Sequence, residues 1–256
     1  MDISQKQILI ETKKLNKQFS NKFIVNSVIN DLDINIYRND FTVIMGKSGS
    51  GKSTLLYCLS GMDSVTRGNI ILNNKDITLL SQDKLVKLRR KHLGFVFQQM
   101  NLMTNLSILE NVTLPGYLIH KNKNIKEKGM EMLARVGISD LAYRMPHQVS
   151  GGQQQRAAIA RALINEPDIL FCDEPTGSLN SSSSEAVMDI LLDCNENNHS
   201  ILMVTHDVKT ALRADRIIYI DDGSVKGEIY LEKYRKDKNL NDRNDMVQKW
   251  LEEMEW

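Results

Sequence analysis

Residues 41–54 read FTVIMGKSGSGKST: an apolar run, Phe41 to Met45, passes directly into glycine, serine and lysine. Gly46, four residues, Gly51, Lys52 and Ser53 have the spacing of a phosphate-binding loop set between a strand and a helix. Gly46, Gly49 and Gly51 let the backbone turn tightly, so that successive N–H groups converge on phosphate oxygens. A helix beginning near Lys52 adds its positive N-terminal end. Lys47, Ser48, Ser50 and Thr54 complete the nonapeptide; Lys52 suits the β- and γ-phosphates, and the Ser53 hydroxyl suits Mg²⁺. A Gly/Ser-rich surface turn could match the same letters by accident, but the strand-like run before it argues against that.

The rest of the chain sets limits on this reading. Its 256 residues are enough for one large α/β domain or two modest ones. Cys58, Cys172 and Cys194 are far apart with no CxxC pair, which suits a reducing cytosol and gives no zinc-site spacing. A formal net charge of +1 offers no polycation for nucleic acid. The N-terminal MDISQKQILIETKK has an apolar patch only at Ile8–Ile10, so no secretory signal is expected. No apolar run approaches the ~18 residues of a membrane span, and a membrane role would come through a partner.

Upstream of the loop, Ile8–Lys13 and Leu32–Tyr37 read as strands, the second by alternation of Leu32, Ile34 and Ile36 with Asp33, Asn35 and Tyr37. Phe19, between them, could stack on an adenine ring or pack in the local core. Downstream, Ser53–Leu59 reads as helix, and Gly68–Leu72 as a strand entering an Asn73-Asn74 turn. Leu85–Arg90 reads as a basic amphipathic helix. Leu93–Phe97 is a further strand ending at Gln98, either a polar strand end or a group reaching Mg²⁺ or water in a nucleotide cleft. From about Leu106 to Arg135 the pattern is helical, with a Lys-rich break at Lys121, Lys123, Lys126 and Lys128.

Val149-Ser150-Gly151-Gly152-Gln153 precedes a helix expected over Gln154–Ile164, and is either a second anion-binding turn or an ordinary Ser cap. Ile169–Cys172 reads as a buried strand delivering Asp173 and Glu174 at its end, placed to hold hydrated Mg²⁺ and to polarise a water, or merely to cap a turn. Ile201–Val204 delivers Thr205, His206 and Asp207 to the same carboxyl edge. Arg216–Ile220 and Asp222-Gly223 form a strand and tight turn. Met246, Val247, Trp250, Leu251 and Met254 then recur at helical spacing, for a helix packed back on the domain or offered to a partner.

GKSGSGKST, Gln98, VSGGQ, ILFCDEP and His206, in this order, resemble the nucleotide-binding subunits of ABC transporters, whose signature has the form LSGGQ. The resemblance spans about residues 8–227. It implies an α/β fold: a P-loop NTPase core with a mixed sheet, an N-terminal antiparallel β subdomain and an inserted α-helical subdomain at about 99–160. Residues 1–229 would form the ATPase domain, and 230–256 a charged extension. It also implies that Gly46–Thr54 hold the ATP phosphates, that Ser53, Gln98 and Asp173 serve Mg²⁺, and that Glu174 is the general base. His206 would sense the γ-phosphate and Phe19 would stack on the base. Two copies would pair head to tail, with Ser150–Gln153 of one facing the ATP on the other.

HLGFVFQQMNLMTNLSILENVTLP, SGGQQQRAAIARALINEP and DEPTGSLN are similar to the branch of macrolide exporters, lipoprotein-release systems and bacitracin-type peptide-resistance exporters. The implied function is an ATPase at the cytoplasmic face of the membrane that powers export or extraction of a peptide, antibiotic or lipid-linked substrate through separate permease subunits. The alternative is a regulatory or soluble ABC ATPase that does not itself drive transport. One position departs from the pattern: after DEPTG the family has Ser/Ala-Leu-Asp, and here Asn180 follows Ser178 and Leu179.

Overall fold

The computed structural model describes residues 6–20, 25–119, 124–235, 240–254 and 256. Lys121 and Lys123, residues 21–24 and the first five residues of the N-terminal stretch lie outside the described residues. The chain forms two compact units, Met1–Leu85 with Ser200–Trp256, and Val86–His199.

The first unit begins with an antiparallel sheet. Strand β1 (Ile8–Ser20) pairs on one side with β2 (Val25–Leu32) and β3 (Asn35–Tyr37), and on the other with β5 (Arg67–Leu72), which turns through Asn73 and Asn74 into β6 (Lys75–Asp76). The run expected as one strand, Leu32–Tyr37, is divided between β2 and β3. The Thr12 hydroxyl explains the division: it donates to the Leu32 carbonyl at 2.9 Å and accepts from the Ile34 N–H at 2.8 Å, so that at the break, among the described residues, only the Thr12 N–H to Ile34 carbonyl bond, at 2.9 Å, joins the backbones directly. The alternation holds as far as Ile36, with Leu32, Ile34 and Ile36 buried between the exposed Asp33 and half-buried Asn35, and fails at Tyr37, which is buried too.

The glycine loop belongs to a second, mixed sheet. β4 (Phe41–Met45) is buried along its whole length because it lies between two parallel neighbours, β9 (Ser200–Val204) and β10 (Arg216–Asp221). β11 (Ser224–Tyr230) closes that edge antiparallel through Asp222 and Gly223, both at positive φ as a tight hairpin turn requires. α1 (Lys52–Leu59) follows the loop, and α7 (Val208–Ala211) follows β9.

The C-terminal helix α8 (Leu240–Glu253) packs back on this unit. Val247 and Leu251 are buried, Met254 and Trp250 lie against Gly227 of β11, and the Arg243 guanidinium donates to the carbonyls of Leu212, Ala214 and Glu232. Trp256 meets Tyr219 edge-on at 5.9 Å.

In the second unit β7 (Leu93–Phe97) and β8 (Ile169–Asp173) pair in parallel, with Phe95 stacked on Phe171 at 5.5 Å. α2 (Gln82–His92) leads into β7; α3 (Ile108–Tyr117), α4 (Ile125–Arg135), α5 (Gly151–Leu163) and α6 (Ser181–Glu196) supply the rest. Lys126 and Lys128 fall inside α4 rather than in a break. α5 begins at Gly151, three residues before the expected Gln154, because Ser150 caps it and Gly152 is a helical residue. Among the described residues no helix is long and apolar enough to cross a membrane.

Candidate functional site

In the first unit, β4 ends at Met45 and the chain turns at Gly46, whose backbone lies so close to β10 that an added Cβ would stand 2.1 Å from the Ile220 carbonyl oxygen. Lys47, Ser48 and Gly49 are exposed at the loop crest. Gly49 and Gly51 take φ of 82° and 95°, conformations that side-chain-bearing residues rarely adopt. Gly51 is the N-cap of α1 and gives it no side-chain cap, and the first turn holds no acidic residue. The positive end of α1 is therefore neutralised neither by a capping side chain nor by a first-turn carboxylate, which suits an anion. The Lys52 ammonium folds back over the loop, donating to the carbonyls of Gly46 at 2.6 Å and Lys47 at 2.7 Å. Among the described residues the buried Ser50 hydroxyl finds no hydrogen-bond partner. Ser53 and Thr54, half-buried, open the helix.

His206 arrives on the same sheet edge. Ile44 of β4 is in register with Val204 of β9, and the Thr205 N–H bonds the Ile44 carbonyl at 3.2 Å, so His206 leaves β9 beside the strand that feeds the loop. His206 is exposed, and Asp207 after it caps α7 through the N–H groups of Lys209 and Thr210. Phe19 is 47% exposed, so the local-core alternative does not hold. It pairs with Asn26 on β2, and two residues further along β2 the Val28 carbonyl lies against Gly51.

The second unit places Gln98 and the carboxylates together. Phe97 and Asp173 are in register at the ends of β7 and β8. Gln98 and Glu174 therefore leave adjacent strand ends. Both side chains face Gly177, where an added Cβ would lie 2.9 Å from Gln98 Nε2 and 3.3 Å from Glu174 Oε2. Glu174 takes φ of 45°, a left-handed conformation that costs a non-glycine residue about 1–3 kcal/mol and concentrates at functional sites. The Ser178 hydroxyl donates to the Gln98 carbonyl at 3.1 Å.

Ser150–Gln153 start α5 as a reciprocal cap: Ser150 Oγ accepts from the Gln153 N–H, and Gln153 Oε1 accepts from the Ser150 N–H at 2.8 Å. Ser150 and Gly151 are exposed. Gly152 is required by packing, since an added Cβ would lie 2.6 Å from Ser183 Oγ on α6.

Sequence reasoning did not find the residues that brace the Gln98 loop. Gln155 Nε2 donates to the Phe97 carbonyl at 3.0 Å, and Arg161 donates to the carbonyls of Met100 at 2.8 Å and Asn101 at 2.6 Å. Burial draws the Arg161 pKa down from its usual value. The available signal was a glutamine on an apolar stripe: Gln155 precedes the buried Ala158 and Ile159 by three and four residues.

The donor set fits a polyphosphate: glycine backbone, an uncapped helix start, one lysine and hydroxyls. Among the described residues no three His, Cys, Asp or Glu side chains cluster to form a cage for a metal. Mg²⁺ does not require such a cage, because it keeps waters and binds through one or two carboxylates plus substrate phosphates. These features define a phosphate-loop nucleotide-binding protein.

The profile described as ABC transporter matches residues 29–177, and the chain belongs to this family. The chain is 44% identical over 203 residues to the lipoprotein-releasing system ATP-binding protein LolD of Aquifex aeolicus, covering 79% of this chain and 91% of the relative. It is 43% identical over 218 residues to the macrolide export ATP-binding/permease protein MacB of Aggregatibacter actinomycetemcomitans, covering 85% of this chain but only 34% of that much longer protein. It is 38% identical to the bacitracin export ATP-binding protein BceA of Halalkalibacterium halodurans, covering 87% of this chain and 88% of the relative. Among solved structures, the dimeric ATP-binding cassette MJ0796 bound to ADP and Pi superposes with a TM-score of 0.82 at 37% identity, covering 88% of this chain and all of that one.

Proposed function

We propose that this chain is an ATPase subunit that powers export or extraction of a peptide, antibiotic or lipid-linked substrate through separate membrane permease subunits. It would work at the cytoplasmic face of the membrane. The observation that carries the reading is the glycine loop itself, which runs into an uncapped helix with Lys52 folded over it. The LolD and BceA relatives, of which the chain covers most of the length, are named as ATP-binding proteins of a release and an export system.

In this reading Gly46–Thr54 bind the triphosphate, and Lys52 exchanges its loop carbonyls for phosphate oxygens. Glu174 takes a proton from the attacking water, Gln98 orients that water, and His206 contacts the γ-phosphate. Ser53, Gln98 and Asp173 would hold Mg²⁺, which when bound neutralises phosphate charge. Ser150–Gln153 offer a capped but exposed helix start to the nucleotide on a second copy. That pairing explains why a second anion-binding turn stands on the surface.

The test is Glu174→Gln. The variant should bind ATP as the parent does, lose most turnover and accumulate as an ATP-bound dimer in size-exclusion chromatography. Normal steady-state hydrolysis would remove Glu174 from the mechanism. Transport by reconstituted vesicles carrying the cognate permease separates a driving subunit from a regulatory one.

A further inference from the structure

Lys17 lies in β1 with only 6% of its surface exposed, a burial that lysine tolerates when its ammonium is engaged. Its Nζ donates to the Asp63 carboxylate at 2.7 Å and to the Ser64 carbonyl at 2.6 Å, and stands 4.6 Å from the centroid of the Phe19 ring. Asp63 and Ser64 follow α1, and the N–H of Asp63 bonds the Tyr57 carbonyl in the helix's last turn. One ammonium therefore ties the Phe19 ring to the far end of the helix that starts at the glycine loop.

We infer that Lys17 is a positioning residue for nucleobase recognition, holding one face of the Phe19 ring so that the opposite face is offered to the purine of the bound nucleotide. The inference rests on the reading of Gly46–Thr54 and Phe19 as an ATP site. Two physical effects follow from the geometry. A cation against one face draws π density toward itself, leaving the far face less negative and a better surface for an electron-rich purine. A ring already held by its neighbour also loses less rotamer freedom when a base stacks on it. If Lys17 served only to neutralise Asp63, its removal would change stability but would not separate base from phosphate recognition.

The experiment compares binding of ATP and of inorganic tripolyphosphate to the full chain and its variants by calorimetry. Lys17→Met should weaken ATP about threefold to tenfold, the size of a partly desolvated cation–ring contact, and leave tripolyphosphate within about twofold. It should add nothing in a Phe19→Ala background, and Lys17→Arg should restore most of the loss. Asp63→Asn, which loosens the same ammonium from outside the site, should give the same pattern and covers the case in which Lys17→Met does not fold. Equal losses for both ligands, or an undiminished Lys17→Met effect in the Phe19→Ala background, would overturn the inference. If Phe19→Ala leaves ATP affinity unchanged, base stacking itself is wrong. If the parent chain binds neither ligand, the nucleotide site is wrong.

Discussion

Asn180 stands where the resemblance leads one to expect aspartate, and the structure shows what that side chain does. It is the N-cap of α6: Asn180 Oδ1 accepts from the Ser183 N–H at 2.9 Å and from the Ser182 hydroxyl at 3.2 Å. Asparagine and aspartate cap about equally well, so Asn180→Asp should preserve both bonds. It adds a negative charge at a helix start whose first turn holds no acidic residue, a gain of about 0.3–1 kcal/mol. For a chain of this size that corresponds to a rise of about 1–4 °C in melting temperature. Asn180→Ala removes the acceptor and should cost about 0.5–2 kcal/mol.

Ser183, held by the cap, is also the residue against which Gly152 of the signature packs. The alanine variant should therefore disturb ATP hydrolysis as well as stability. Because the helix start is already ordered by asparagine, aspartate should change the ATPase rate by no more than a few-fold. Thermal denaturation read beside steady-state hydrolysis checks both. A destabilised Asn180→Asp protein would refute the capping argument, and a gain of orders of magnitude in rate would show that the present site is crippled by its missing charge.

Gly46→Ala should abolish nucleotide binding or soluble expression, because its Cβ would meet backbone at 2.1 Å; binding within twofold of the parent would refute this. Arg161→Met leaves two loop carbonyls without their charged donor and should cost about 1.5–3 kcal/mol in urea denaturation. It should also lower turnover about tenfold with ATP affinity nearly kept, since a looser Gln98 loop weakens positioning rather than binding. Burial pushes the Cys58 and Cys194 thiols up from 9.0 to about 12 and Cys172 higher still. Native protein at pH 8 should then resist a thiol reagent that labels the unfolded chain. Below pH 9 both states keep these protons and the contribution to stability is complete. Above it the unfolded chain ionises first, and stability falls by up to about 1.4 kcal/mol per pH unit for each thiol, measurable as a declining urea midpoint.

The strands that carry the site are legible as short apolar runs that end abruptly in glycine or polar residues: Phe41–Met45, Ile169–Asp173 and Ser200–Val204 are buried on both faces, and Leu93–Phe97 on one, with Phe95 and Phe97 half-buried on the other. β2 was missed for the opposite reason. VNSVINDL lies at the edge of its sheet, its first three residues are exposed, and its few apolar positions do not alternate. α6 was missed because its first turn is four serines, which favour caps and turns over helix interiors; the cap at Asn180 and packing from Val187, Met188 and Leu191 form it regardless. The start of α5 was misplaced because two glycines read as a turn, whereas Gly152 is helical to admit Ser183.

What no spacing rule reveals is how the second unit joins its parts, and α5 supplies the join. Its first residues form the exposed Ser150–Gln153 cap, its middle holds Phe97 through Gln155, and its end holds Met100 and Asn101 through Arg161. A helix is stiff along its axis, and these three bonds bracket Gln98 on both sides. A displacement of Gln98 or of the signature turn must therefore either move α5 or break hydrogen bonds whose donors are the fully buried Gln155 and the charged Arg161, and the second costs about 2–5 kcal/mol in sum. The cheaper path is for the Gln98 loop and the Ser150–Gln153 turn to move as one piece. On that argument, Gln155→Leu combined with Arg161→Met should leave each motif intact but uncouple them. Spectroscopic probes placed beside Gln98 and beside Ser150 would then respond to ATP independently, where in the parent they respond together.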